Sequence, residues 1–383
     1  MPASVTSHLS TTTNKPPMIQ NWFGCSGLAL FLYTVFCVAL TTAAYLRPLP
    51  TFDRYLYAGA IASLRYSDPA TIHDIARAEF DAQPSPFQFE SVASEPYFAD
   101  VHENFDHFVQ QLGFYRVKLG YVAAGYALWR AGLPILVGLR LISAFCFLIV
   151  AFLVLAWTRD VILSSLLLLT PSVLTMGRMV TVDPLSTTVV LFALFAFAKQ
   201  KDVLAAILLV ASVLLRFDNL LLVIIMLVWI VWQKHFSLSL GVLFGALALG
   251  CVAFTSHFSS YYGWRVLMQH SFIKPEIEPI KHPVSITFAG YLHAVTELRV
   301  IPYTYMTIWL FIAVAAWRRL PPKSASRDLL LLAGVCTLAR LVIYPNVEDR
   351  YFWWAYLLAG IALIQSAHAP ILESEEEARC HGV

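Results

Sequence analysis

The chain has 383 residues, of which 58% are hydrophobic, 14% aromatic and only 13% charged, for a net charge of +2, and its mean hydropathy is +0.67. Such a composition excludes a soluble globular domain and points to a multi-pass membrane protein. Charge this small and this dispersed also excludes a nucleic-acid partner, and six cysteines with no CxxC pair suggest small core residues, not a disulfide framework or a zinc site.

Residues 1–26, rich in Ser and Thr up to Pro17, are expected to be a disordered cytoplasmic leader. A helix needs roughly 20 apolar residues to cross a bilayer. Ten such runs follow, over 27–46, 134–157, 161–177, 184–199, 203–215, 219–233, 238–256, 301–317, 328–344 and 351–366. The first is too long for a signal-peptide core and is read as a retained span. Between the first two runs lies a long loop, 47–133, and a second occupies 257–300. The apolar stretch 114–129 carries Arg116 and Lys118 with several Tyr and Trp, and is expected to lie at the membrane surface. Residues 367–383 read as a cytoplasmic tail with a solvated acidic end.

With ten crossings, Arg159, Lys199, Lys201, Lys234, Arg318, Arg319, Lys323 and Arg327 all fall on the side of the N-terminus, as cytoplasmic basic anchors should. Most acids then fall on the outer face: Asp53, Asp100, Glu103, Asp106, Asp183, Asp218, Glu276, Glu278, Glu297, Glu348 and Asp349. A cavity open to that face is the expected place for chemistry, because ionisable groups at a membrane are costly and by default functional.

Asp53 follows the first run and has two readings, a helix N-cap or a general base poised by partial desolvation; its position favours the base. Asp183, followed by Pro184, starts a helix and has the same two roles open. Arg178, five residues earlier, is placed to pair with Asp183 or to meet an anion. Arg216 and Asp218 interrupt a long apolar stretch, either as an ion pair with Asp218 capping the next helix or with Arg216 as a phosphate contact. Arg340 lies a turn inside the ninth run, where an unpaired guanidinium costs about 2.5–3.5 kcal/mol, so it must face a partner or cavity. Arg350 reads as an anchor or a phosphate ligand, beside Tyr351, and Trp353 and Trp354 read as an interfacial aromatic belt. No DxD, Walker, GxGxxG, GxSxG or HExxH pattern occurs, and no histidine spacing suggests a metal site.

Four segments in this order, Phe52-Asp53-Arg54-Tyr55, Phe114-Tyr115-Arg116-Val117-Lys118, Gly177 to Pro184, and Glu348-Asp349-Arg350-Tyr351, resemble the GT-C class of membrane glycosyltransferases, including protein O-mannosyltransferases and the lipid A aminoarabinose transferase. The resemblance implies an all-α bundle of about ten spans with outer-face interfacial helices, over 27–366. It implies transfer of a sugar from a polyprenyl-phosphate donor, on the non-cytoplasmic face, to a hydroxyl of a glycan, lipid or protein acceptor. Asp53 would be the base and Asp183 would orient acceptor or base. Arg116, Lys118, Arg178, Arg216, Arg340, Arg350 and Tyr351 would hold the donor's phosphate. No organic cofactor is implied, and a divalent metal is left open. Where the mannosyltransferases carry a second acid after the first-loop Asp, this chain has Arg54, so the base works alone or borrows Asp100, Glu103 or Asp106. The expected location is a bacterial inner membrane, with the endoplasmic reticulum as the alternative. The competing reading is a transporter or flippase of a lipid-linked glycan, against which stands the absence of matching interrupted helices in the sequence; a non-catalytic scaffold is the third.

Overall fold

The computed structural model describes residues 26–82, 96–273, 277–279, 281 and 286–380, so the leader 1–25, Glu276 and the last three residues lie outside it. Among the described residues every regular element is a helix. Ser26 starts α1 (Gly27–Leu46) by accepting from the N–H of Ala29 at 3.3 Å. Leu28, Phe31, Leu32, Val35 and Val38 of α1 stay exposed, while the buried Tyr33 donates its hydroxyl to the carbonyl of Ala151 at 2.7 Å. Apolar side chains facing outward along a whole helix are what a lipid contact requires.

α2 (Asp53–Ala62) to α7 fill the first long loop: α3 (Pro69–Asp81), α4 (Pro96–Glu103), α5 (Phe105–Gln111), α6 (Gly113–Arg116) and α7 (Leu119–Arg130). The stretch read as one interfacial helix is thus two, and the break at Val117 and Lys118 leaves Lys118 at a helix start with no capping bond. The other helices are α8 (Ile135–Thr158), α9 (Val161–Leu168), α10 (Pro171–Arg178), α11 (Asp183–Ala198), α12 (Asp202–Val213), α13 (Asn219–Trp232), α14 (Leu238–Ser259), α15 (Trp264–Met268), α16 (Phe288–Thr296), α17 (Tyr305–Arg319), α18 (Ala325–Ile343) and α19 (Trp353–Cys380).

Three of these, α1, α8 and α14, are long and apolar enough to cross a membrane singly, and five spans result if each of two bent pairs counts as one. The chain is therefore an all-helical protein with membrane-spanning character. The third apolar run is bent by 67° between α9 and α10. Pro171, the first residue of α10, cannot continue the hydrogen bonding of α9 and explains the break. The eighth run is preceded by a helical segment, Phe288–Tyr303, that meets α17 at 69°, with Pro302 in its last turn and Thr304 capping α17. These interruptions fall at Thr170-Pro171-Ser172 and at Pro302-Tyr303-Thr304, short polar dips that the ten-run reading carries through as continuous. α11, α12 and α13 have 16, 12 and 14 residues, so each rises only about 18–24 Å.

Contacts between helix ends sort the bundle into two ends. At one, Asp202 of α12 meets His235 beyond α13, Ser326 of α18 meets Gln365 of α19, and Asp160 before α9 meets His368. At the other, Leu49 after α1 meets Arg178 of α10, Asp183 of α11 meets Arg216 after α12, and Arg340 of α18 meets Asp218 before α13. Two apolar clusters result. The larger unites α1, α8 to α14 and α17 to α19, and includes Trp353, read from the sequence as an interfacial belt but only 1% exposed. Its burial follows from the tight packing of α19 on α17 and α18. The smaller cluster joins α2, α3, α5, α7 and the first turns of α8 to Val180, Val182 and Leu215, which docks the first-loop helices beside the segments bearing Asp183 and Arg216.

Candidate functional site

Asp53 is the first residue of α2, and its carboxylate does not cap that helix. It reaches sideways: the hydroxyl of Tyr115 donates to Oδ1 at 2.7 Å, and Nη1 of Arg350 donates to Oδ2. These partners lie 62 and 297 residues away, and the side chain of Asp53 keeps 24% of its surface exposed. Burial would raise this carboxyl, but the charges of Arg350 and Lys118 and the two hydrogen bonds outweigh it and hold Asp53 below the ordinary carboxylate range.

Arg350 is shared. Its Nε lies 2.5 Å from Glu348, and its Nη2 donates to the hydroxyl of Tyr351 at 3.3 Å. The Tyr351 ring is a hub for three guanidiniums, with Arg216 at 4.3 Å, Arg340 at 4.4 Å and Arg350 at 5.1 Å from its centroid. Stacking of this kind uses the negative face of the ring.

Beyond Tyr351 lies a second carboxylate pair. Asp183 opens α11, is 3% exposed, accepts from the Thr181 hydroxyl at 2.7 Å and from Nη1 of Arg216. Arg216 also forks onto Asp218, Nε to Oδ1 and Nη2 to Oδ2, both at 2.9 Å. Nε of Arg340 adds a third bond to Asp218 at 3.1 Å. Two guanidiniums overcome burial and hold the Asp218 carboxyl far below its usual range. Both Nη atoms of Arg340 are buried without a hydrogen-bond partner among the described residues, against the rings of Tyr344, Tyr351 and Phe352. The partner that Arg340 required is therefore Asp218.

Lys118 sits above the rings of Tyr115 and Tyr57, at 4.4 and 5.4 Å. No carboxylate of the described residues lies within 4 Å of it. Burial pushes its amine down to about 7, with Asp53 opposing and Arg216 and Arg350 reinforcing the shift. Arg116, two residues earlier, donates from Nε to the Ser63 hydroxyl at 2.8 Å and likewise has no carboxylate within 4 Å. Arg178 stands apart: its Nε donates to the carbonyl of Arg47 at 2.7 Å, not to Asp183.

Seven of the nine residues singled out from the sequence thus lie in one network, with Arg178 and Arg116, the latter held by Ser63 past the far end of α2, outside it. The sequence reading missed the central part of Asp218, taken there as a cap or a simple ion-pair partner, and the contribution of Tyr115, taken as an interfacial aromatic. The spacing Arg216-x-Asp218 within apolar sequence was the available signal. Among the described residues no group of three or more His, Cys, Asp or Glu is placed to hold a metal ion. Chemically, the arrangement offers an ionised carboxylate with a partly open flank, a nearby amine that changes charge near neutrality, and aromatic walls. No protein-family model, characterised protein or solved structure matches this chain.

Proposed function

We propose that this chain is a GT-C-like glycosyltransferase of about ten membrane crossings, moving a sugar from a polyprenyl-phosphate donor to an acceptor hydroxyl at the membrane face where Asp53 lies. The observation that carries this reading is the tie of Asp53, just beyond α1, to Tyr115 and Arg350, with Lys118 alongside. Three of the four sequence segments that resemble the class meet there, and the fourth, through Asp183, joins by way of Arg216 and Tyr351. The alternation of helix ends supports ten crossings, the short helices being accommodated inside a bundle.

In this reading Asp53 accepts a hydrogen bond from the acceptor hydroxyl. As the acceptor oxygen bonds to the anomeric carbon, the bond from that carbon to the phosphate oxygen breaks with its electron pair, and the hydroxyl proton passes to Asp53. Lys118, the cation beside Asp53 with no carboxylate of the described residues within 4 Å, binds the donor's phosphate and offsets the charge that grows on it. Arg216, Arg340 and Arg350 fix the carboxylates and the Tyr351 ring. A bacterial inner membrane, with the N-terminus cytoplasmic, is the proposed setting.

The test is sugar transfer from radiolabelled polyprenyl-phosphate donors by the purified full-length protein, beside folded Asp53→Asn. Loss of roughly 10²–10⁴ in rate in the variant is expected; turnover undiminished in Asp53→Asn would sink the mechanism. One observation favours the other class, a lipid-glycan transporter: the third and eighth apolar runs, five apart, are both interrupted. Against it, no charged residue sits at the α9–α10 break, where Leu169 and Thr170 lie. Donor binding without turnover, coupled to movement of donor across proteoliposomes, would transfer the assignment to that class.

A further inference from the structure

On another side of α2 from the Asp53 network, Arg54 is 5% exposed and its Nε is buried without a hydrogen-bond partner. Its guanidinium lies over the ring of Phe80 in α3 at 5.1 Å. Glu79, next to Phe80 in the chain, turns its two carboxylate oxygens to the N–H groups of Ile135 and Leu136 at 3.0 and 3.1 Å, starting α8. The charged neighbour that does act on Arg54 is another cation, Arg140 of α8, which adds to burial in lowering its affinity for a proton to a value of about 10. Among the described residues, no carboxylate lies within 4 Å of Arg54 or Arg140. A buried guanidinium under the influence of a second one, with no carboxylate of the described residues within 4 Å, is an arrangement that folding disfavours unless an anion completes it.

The surroundings say which anion. Arg47, exposed at the end of α1, and Arg178, at the end of α10, are joined by the Arg178–Arg47 hydrogen bond, and α1 and α10 both pack on α8. They add two more cations at the same end of the bundle, again with no carboxylate of the described residues within 4 Å. Directly along the helices from this end run outward-facing apolar side chains: Leu46 and Val38 of α1, and Leu141 and Phe145 of α8, one turn apart. A phosphate seated among arginines and attached to chains lying over an exposed apolar face is the chemistry of an anionic phospholipid. We propose that Arg54 and Arg140, with Arg47 and Arg178 at its rim, form a headgroup site for one anionic membrane lipid where α1, α2, α8 and α10 meet. The site is separate from the Asp53 network and does not depend on the transferase reading.

The test uses full-length protein, delipidated in detergent, with lipid binding followed by thermal unfolding and by native mass spectrometry. The probes are dioleoylphosphatidylglycerol, dioleoylphosphatidylcholine and inorganic phosphate. Phosphatidylglycerol should bind as one tightly held copy and raise the unfolding temperature, phosphatidylcholine much less. Arg140→Gln and the pair Arg47→Gln/Arg178→Gln should each weaken binding about fivefold or more for every guanidinium removed, while Asp53→Asn binds as the wild type does. Arg140 is only half-buried, so its variant keeps the test decisive if Arg54→Gln fails to fold. Stabilisation by inorganic phosphate alone, lost in Arg140→Gln, would keep the anion site and reject the lipid as its occupant. Phosphatidylglycerol binding that is unchanged in Arg140→Gln, or no tighter than phosphatidylcholine, overturns the proposal.

Discussion

Replacing Arg216 by methionine removes a guanidinium of similar length that serves two carboxylates at once. The two losses are unequal. Asp218 is 32% exposed and keeps Arg340 at 3.1 Å, so water and one remaining cation limit its loss. Asp183 is 3% exposed and retains only the Thr181 hydroxyl at 2.7 Å as a side-chain partner of its carboxylate among the described residues. Leaving a buried charge without its counter-ion costs about 3–5 kcal/mol, most of it from the stranded ion. Arg216→Met should therefore lower the unfolding free energy by that amount, measured by denaturant titration of the detergent-solubilised protein with linear extrapolation. The second step isolates the cause. Asp183→Asn removes the stranded charge while keeping the side-chain shape, so the double variant Arg216→Met/Asp183→Asn should be more stable than Arg216→Met alone, with a coupling of about 0.5–3 kcal/mol. If Arg216→Met costs under about 1 kcal/mol, or if Asp183→Asn deepens the loss instead of relieving it, Asp183 does not depend on Arg216.

Lys118 gives a pH prediction. Its amine titrates at about 7 in the folded protein and at about 10.4 when unfolded, so between these values the unfolded chain binds more protons and stability rises with pH. The cost of holding Lys118 is complete below the folded value. Lys118→Met should thus stabilise the protein most near about pH 6 and progressively less by about pH 9; a difference from wild type that ignores pH would remove the argument. Glycines provide a steric pair. A Cβ on Gly59 would strike the ring of Phe108 and stand 3.0 Å from Leu112, so overpacking of about 1–3 kcal/mol outweighs the helix gain of Gly59→Ala. Gly245 has nothing within 4 Å, and Gly245→Ala should be neutral or stabilising by about 0.5–1 kcal/mol. Equal unfolding temperatures for the two variants would contradict the packing described around α2.

The apolar runs located the helices closely because hydropathy is a local property. The run 134–157 became Ile135–Thr158, and 219–233 became Asn219–Trp232. The third run illustrates the limit: the dip at Thr170-Pro171-Ser172 is too short to end a run, yet the missing N–H of Pro171 turns the chain by 67°. Site residues divide the same way. That Asp53, Asp183 and Arg340 needed partners was legible from charge set within apolar sequence. Which partners they took was not. The N-cap reading of Asp53 considers only its own helix, whereas its actual ligands come from Tyr115 and from Arg350. The cap reading of Asp218 likewise overlooked Arg340, 122 residues on. Trp353 was placed at an interface by residue type alone, and the packing of α19 buries it.

The pairing of charges bears on where an anionic donor would sit. Arg216 already holds Asp183 and Asp218, Arg340 holds Asp218, and Arg350 holds Asp53 and Glu348. For a phosphate to bind at Arg216 or Arg350, a carboxylate must be displaced, at a cost comparable to breaking a buried pair, about 3–5 kcal/mol; Arg340 spends only its Nε on Asp218, and its two Nη atoms stay against aromatic rings. At Lys118 no such exchange is needed. Its amine has aromatic faces below it and no carboxylate of the described residues within 4 Å, and a phosphate placed there would return the proton affinity that burial removes. Phosphate binding at Lys118 and protonation of Lys118 are therefore linked: a donor analogue should bind more tightly as pH falls through about 7, taking up a proton as it does. The three arginines gain a different role from the same accounting. Each fixes a carboxylate at a set place around the Tyr351 ring, so the acid that meets the acceptor is held rigid before either substrate arrives.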